Sequence, residues 1–204
     1  GYYEVYNQDN VELVDVRETP IERVTAAGIK TSDKDYEFDY IVYATGFDAV
    51  LGAFNRIDLR GVGGVSLKDK WVDGPRTFLG IQVEGFPNMF TLVGPHNAAT
   101  FCNIPRCIEQ NVEWVTDLFR HMQAEGLTNV AATKEAEDEW TEHVHETSER
   151  MLFTKVDSWF TGINPNLKGR DTRKFLLYAA GAPKYNEICD EVAANGYKGL
   201  TFSA

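Results

Sequence analysis

Nothing in this sequence approaches the roughly 20 consecutive apolar residues that a helix needs to cross a bilayer, and its first residues, Gly1-Tyr2-Tyr3-Glu4, lack a basic-then-apolar leader pattern. These two absences predict a cytoplasmic protein with no membrane partner. Positive charge is scarce as well: 20 Lys and Arg stand against 31 Asp and Glu, a formal net charge of -11 with no basic stripe. A nucleic-acid surface would lack its electrostatic driving force, so no nucleic-acid partner is expected. A few local Arg or Lys residues still suffice for a phosphorylated cofactor. The three cysteines, Cys102, Cys107 and Cys189, are odd in number and without C-x-x-C spacing. That argues against a disulfide framework, a zinc ribbon or a redox dithiol, and for buried or incidental thiols.

Other absences bear on chemistry. A phosphate-cradling G-x-G-x-x-G between a strand and a helix does not occur. The nearest approximation, Gly61-Val62-Gly63-Gly64, lacks the third glycine and is not followed by a helical pattern, so it reads as a loop. His143 and His145, two apart on a predicted helix, point in different directions and make no metal pair. His96 is given no role beyond a hydrogen bond, no Ser-His-Asp arrangement has local support, and no internal repeat appears.

What is present is the composition of a folded protein: 204 residues, 43% hydrophobic and 25% charged, enough for one large or two small domains. Val11 to Val16 alternates apolar and polar residues as a half-exposed strand does, and Arg23 to Thr25 and Gly28 to Thr31 continue an antiparallel meander. Phe38 to Asp48 is a nearly continuous β-branched and aromatic run ending in the small turn Ala44-Thr45-Gly46, which suits a strand buried on both faces. Met89 to Val93 reads as a second buried strand, stopping at Gly94-Pro95 and leading through a polar loop to a helix, the arrangement in which α/β proteins place ligands.

That helix is predicted to start at Asn103, a suitable N-cap, with Pro105 in its first turn. Ile108, Val112, Val115, Phe119 and Met122 form its apolar face, and Gly126 its stop. Further helices are expected over Lys134 to Met151 and Tyr185 to Ala194, with a strand over Lys174 to Tyr178 between them. The likeliest boundary lies just after Ala44-Thr45-Gly46, where the missing side chain of Gly46 would let a neighbour or ligand approach the backbone.

Taken alone, D-x-I-V-x-A-T-G-F is a weak signal, but it stands in a series. Gly1-Tyr2-Tyr3-Glu4, Ala44-Thr45-Gly46-Phe47-Asp48-Ala49, Gly80, Gly85-Phe86-Pro87-Asn88-Met89-Phe90, Gly94-Pro95, Ile108 to Trp114, Asp157-Ser158-Trp159 and Tyr185 to Asp190 follow in order. In these segments the chain resembles the Baeyer–Villiger monooxygenases of the cyclohexanone, phenylacetone and steroid type, here by their C-terminal portion. The resemblance implies an α/β fold, part of a flavoprotein with two dinucleotide-binding domains, a mixed sheet with covering helices, and the N-terminal half absent. Residues 1 to about 50 would be the tail of the NADPH domain and 51–204 the C-terminal segment of the FAD domain. The family's F-x-G-x-x-x-H-x-x-x-W fingerprint and active-site arginine are missing, so the chain is expected to be one part of a larger protein and inactive alone.

The chemistry so implied uses FAD and NADP: the nicotinamide cofactor reduces the flavin, dioxygen is captured as a C4a-peroxide, and attack on a ketone gives an ester or lactone. The cofactor carries that reaction, so no catalytic side chain and no metal is assigned. The resemblance puts Asn103 and Ile104 beside the flavin, Trp159 against the nicotinamide cofactor, Thr45 and Gly46 at a cofactor-contacting strand end, and Phe101 and Cys102 in the ketone pocket. Asn103 as a mere cap and Ile104 as mere core remain the compatible alternative.

The Gly94 to Pro105 loop is longer than in the cyclohexanone type, which suggests bulky or aromatic ketones. The segment from Gly162 to Arg170 is longer and more basic than the family pattern, and its cations, with Arg173 and Lys174, read as a solvated loop. Two rivals stand beside this reading: a related flavin monooxygenase acting on amines or sulfides, and a non-catalytic interaction module.

Overall fold

The structure, a computed structural model, describes residues 1–97, 102–164, 167, 169 and 172–204. It divides into two compact units, Gly1–Gly46 and Phe47–Ala204.

In the first unit β1 (Ile21–Val24), β2 (Gly28–Thr31) and β3 (Asp35–Glu37) form an antiparallel sheet in that order. Gly28 is required by packing: a Cβ there would lie 1.9 Å from the Tyr36 carbonyl oxygen across the ladder. The turn into β3 is tied by the Thr31 hydroxyl, which donates to the Lys34 carbonyl at 3.1 Å.

Two sequence expectations fail in this unit. Val11 to Val16 makes no ladder, and Leu13 is exposed. The run from Phe38 to Asp48 forms no strand and is not buried, with Tyr40 89% and Phe47 93% exposed. Its last ladder-like bond is from the Phe38 N–H to the Ala27 carbonyl at 2.9 Å. A strand buried on both faces needs a neighbour along each edge, and among the described residues nothing pairs with this one.

In the second unit the elements are α1 (Leu67–Lys70), α2 (Ile104–Ala124), β4 (Asn129–Ala132), α3 (Lys134–Ser148), α4 (Ala182–Ala194) and β5 (Leu200–Ser203). β4 and β5 pair antiparallel, Asn129 opposite Ser203 and Ala132 opposite Leu200. Both sheets of the described residues are therefore antiparallel, so the mixed sheet expected from sequence is not formed by them. Met89 to Val93 and Lys174 to Tyr178 are irregular rather than strands. Their backbone groups go to single contacts instead, such as Thr91 N–H to the Ile81 carbonyl at 2.8 Å and Leu176 N–H to the Phe160 carbonyl at 3.1 Å.

α2 keeps its predicted start and its stop near Gly126, but its buried face is rotated from the one expected. Cys107, Asn111, Trp114, Val115, Leu118 and Met122 face the core, whereas Ile108, Val112 and Phe119 are 40%, 43% and 49% exposed. The helix has two apolar stripes, and the core takes the one carrying the indole. The Trp114 Nε1–H reaches across to the Cys189 carbonyl of α4 at 2.9 Å.

α3 starts on a working cap, the Thr133 hydroxyl accepting the Ala136 N–H at 3.1 Å. One core gathers Phe78, Leu79, Trp114, Leu118, Trp140, Tyr178 and Tyr185 between α2, α3 and α4. A second, around Leu51, Leu67, Trp71, Val83 and Leu176, holds the segment before α2.

Candidate functional site

The approach to α2 is built on two facing glycines. Gly80 has φ +64, and a Cβ there would stand 2.8 Å from the Pro95 carbonyl oxygen; a Cβ on Gly94 would stand 2.9 Å from the Gly80 carbonyl oxygen. Only residues without side chains permit this contact. Next to it, Val93 and His96 sit at φ 56 and 65, a conformation that costs free energy for non-glycine residues. Both are held there: Val93 N–H donates to Asn111 Oδ1 at 2.9 Å and His96 N–H to the Leu176 carbonyl at 2.8 Å.

The His96 ring is fully buried, with Nδ1 3.4 Å from Thr77 Oγ1 and Nε2 3.2 Å from the Phe175 carbonyl. Burial, with the neighbouring His145 ring and against the Phe175 carbonyl, pushes its pKa down to about 3, so the ring is neutral. Asn97, next in the chain, is buried against Asn111 and Tyr185.

At the start of α2 the Asn103 side chain makes no capping hydrogen bond, contrary to the N-cap expectation; only its carbonyl oxygen accepts, from the Cys107 N–H at 3.2 Å. Asn103 is exposed and Ile104 is 54% exposed, so Ile104 is not core. A cleft of about 630 Å³ opens beside Asn103, with Cys102, Arg106, Glu109, Glu113 and, from α4, Ala182 and Asn186 in its lining and Ile104 outside it. Among the described residues the first turn has no side-chain cap from Asn103, and Ile104 stands exposed on it.

Cys102 and Cys107 are brought side by side, their Cα atoms 6.8 Å apart, so these two cysteines are neighbours rather than the unrelated thiols expected from spacing. Spacing alone missed this because the loop-to-helix turn brings them together. Cys189 does remain a buried free thiol, its pKa pushed up to about 12 by burial.

The other sequence-derived positions are dispersed. Phe101 lies outside the described residues. Trp159, in a 3-10 turn over Trp159–Thr161, is 47% exposed, and its ring lies 4.1 Å from that of Phe160. It lines a shallow depression with Asp48, Ala49, Gly162, Ile163 and Asn164, not the cleft at α2.

Thr45 and Gly46 are exposed at the end of the first unit. Nothing lies within 4 Å of a Cβ built on Gly46, so its φ of +84, not a close approach, is what calls for glycine. Arg173 pairs with Asp157 at 2.8 Å and Lys174 donates to the Val72 carbonyl; Lys168 and Arg170 lie outside the described residues. His143 bonds the Tyr178 hydroxyl at 3.0 Å. Among the described residues no cluster is placed to hold a metal ion, and no helix is long and apolar enough to cross a membrane.

Sequence reasoning missed the Asn97, Asn111 and Tyr185 cluster. One signal was available: Asn111 interrupts an otherwise apolar series, Cys107, Trp114, Val115 and Leu118, on a single helix face.

No protein-family model matches the chain. It is 48% identical over 200 residues to 2-oxo-Delta(3)-4,5,5-trimethylcyclopentenylacetyl-CoA monooxygenase of Pseudomonas putida, covering 98% of this chain and 37% of that one. It is 41% identical over 201 residues to a Baeyer–Villiger monooxygenase of Pseudooceanicola batsensis, covering 98% and 36%. Among solved structures, OTEMO in complex with FAD and NADP superposes with a TM-score of 0.86 at 46% identity, over 99% of this chain and 36% of that one. The chain is thus homologous to monooxygenases whose solved structures bind FAD and NADP. More narrowly, it is a partial-length homologue of the Baeyer–Villiger monooxygenases, spanning a little over a third of the length of the relatives it matches.

Proposed function

We propose that this chain is the C-terminal portion of an FAD- and NADPH-dependent monooxygenase that converts ketones and dioxygen to esters or lactones, residues 1 to about 50 ending its NADPH domain and 51–204 completing its FAD domain. The observation that carries the reading is the start of α2, where Ile104 is exposed and a cleft lined by Cys102, Asn103 and Arg106 lies alongside, in a chain 46% identical to a protein solved with both cofactors. Bound flavin supplies the redox and oxygen-activating chemistry there.

The residues present fit one part of that group and not another. The first turn of α2 offers partial positive charge to the electron-rich edge of a flavin, and Ile104 offers an apolar face to a flat ring. Trp159 combines a flat apolar face with one N–H donor and suits a nicotinamide nucleotide. Cys102 and Phe101 border the ketone, and Thr45 and Gly46 contact cofactor at the end of the first unit. No glycine cradle for a pyrophosphate occurs in the sequence, so that part of the work belongs to the rest of a longer protein. The chain's own role is to orient flavin and ketone and keep water from the reacting atoms.

The test is expression of the full-length protein that carries this segment. We expect a visible flavin spectrum, NADPH-dependent oxygen uptake stimulated by ketones, and an ester or lactone as product, with bulky or aromatic ketones preferred over cyclohexanone. Formation of an N-oxide or sulfoxide with no ester from any ketone would replace this reading by an amine- or sulfide-oxidising one. A colourless full-length protein would support the interaction module instead.

A further inference from the structure

One buried polar cluster has no part in the roles above. Asn97, Asn111 and Tyr185 are 2%, 0% and 2% exposed inside a core of aromatic and aliphatic side chains. The Tyr185 hydroxyl donates to the Leu79 carbonyl at 2.7 Å and accepts from Asn97 Nδ2 at 2.7 Å, with Asn111 Nδ2 3.3 Å away. Asn97 Nδ2 also donates to Asn111 Oδ1 at 3.0 Å, and that same oxygen receives the Val93 N–H. Four stretches of chain therefore meet on one phenol: the turn at Leu79, the stretch from Gly94 to Asn97, α2 and α4.

The connectivity gives the cluster its meaning. Asn97 precedes Cys102, Asn103 and Ile104 in the chain and Asn111 follows them two helical turns on, so the two asparagines bracket the proposed flavin- and ketone-facing residues and are bonded to each other. Burial raises the pKa of the Tyr185 phenol well above its ordinary value, so its hydroxyl keeps the proton that it donates to Leu79. Apolar side chains of similar volume would fill this space at little or no cost in stability, whereas a satisfied polar network admits only one arrangement. What the cluster adds to the core is definition of position.

We propose that Tyr185 is a positioning residue: through Asn97 and Asn111 its hydroxyl holds both ends of the segment carrying Cys102, Asn103 and Ile104, and so sets where these stand relative to flavin and ketone. The inference rests on the function proposed above and deepens it. Tyr185 touches neither cofactor nor substrate in this scheme, so its loss acts on placement, and misplacement by about 1 Å is enough for large effects on an oriented reaction.

The experiment is Tyr185→Phe in the full-length flavoprotein, with every rate referred to bound flavin. The rate of flavin reduction by NADPH without ketone is expected to stay within about twofold of the parent. The KM for ketone should rise at least about fivefold, and so should the hydrogen peroxide released per NADPH consumed. A lower melting temperature with KM and peroxide release unchanged overturns the proposal, as does a rate of flavin reduction that falls at least about fivefold along with the other changes. Asn97→Ala, which leaves the Tyr185–Leu79 bond intact, should reproduce the same split. If both variants fail to accumulate as flavoproteins, the cluster is a determinant of folding and the proposal is also overturned. A parent protein that binds no flavin or makes no ester refutes the underlying function separately, before any variant is compared.

Discussion

His96 shows how much one buried side chain ties to pH. Its ring is sealed in the core between Thr77 and Phe175, and burial has lowered its pKa to about 3. The unfolded chain would protonate the same ring near the ordinary histidine value of about 6.5. Between these values the unfolded state binds more protons, so the contribution of His96 is fully present above pH 6.5 and is lost as pH falls toward 3. The slope is about 1.4 kcal/mol per pH unit, so stability at pH 5 should be about 2 kcal/mol below that at pH 7.5 from this residue alone. We expect His96→Asn, which tolerates the positive φ, to flatten that acid limb; urea midpoints at the two pH values measure it, and an unchanged slope would refute the assignment.

Trp159 is the residue-scale test of cofactor contact, since 47% of it is exposed and little of the fold depends on it. Trp159→Ala in the full-length protein should raise the KM for NADPH about tenfold or more with little change in melting temperature. An unchanged KM would remove Trp159 from the cofactor site.

At the scale of elements, a buried carboxylate ties α3 to the end of α1, in addition to the apolar packing of Trp140 and Val144. Glu137, 2% exposed, lies 3.0 Å from Lys70 Nζ at the end of α1 and accepts the Glu84 N–H at 2.8 Å. Removing one partner of a buried pair leaves the other charge uncompensated, so Glu137→Gln is expected to destabilise by about 3 kcal/mol, moderated because Lys70 also meets Glu84. Thr133→Ala, which removes the cap of the same helix, should cost about 1 kcal/mol. Thermal unfolding should rank the two in that order, and the reverse order would mean that the ion pair is not what anchors the helix.

The elements also show where sequence patterns stop. Spacing places α2 and its ends, because helical hydrogen bonds are local. It does not choose between the helix's two apolar stripes, because that depends on which surface arrives against it, here α4 and the Trp114 to Cys189 contact. The strand pattern of Phe38 to Phe47 is likewise genuine, yet a strand is completed only by partners. By contrast β4 and β5 were not read at all, since neither four-residue segment signals a partner some 70 residues away, Thr201 opposite Ala131.

For the molecule as a whole, exposed apolar surface is the leading property. Ile104, Ile108, Val112 and Phe119 line one side of α2, and Tyr40, Val42 and Tyr43 stand exposed on the irregular segment near the end of the first unit. Patches of this kind mark interaction surfaces or lead to association. The 204-residue chain purified alone is therefore expected to be colourless and to associate, and replacing Ile108 and Val112 by glutamate should reduce that association in light scattering. A monodisperse, yellow 204-residue chain would contradict both parts.

Motif order along the chain was sufficient to identify the monooxygenase relationship, and local periodicity the starts of α2 and α3, whereas α4 begins at Ala182, three residues before the expected Tyr185. Tertiary structure alone decided that Asn97, Asn111 and Tyr185 share one hydrogen-bonded centre, that Cys102 meets Cys107, and that a cleft forms between the start of α2 and α4. These depend on which distant surfaces meet. Burial, and with it the shifted pKa values and the meaning of a polar side chain, is a property of such meetings rather than of any segment.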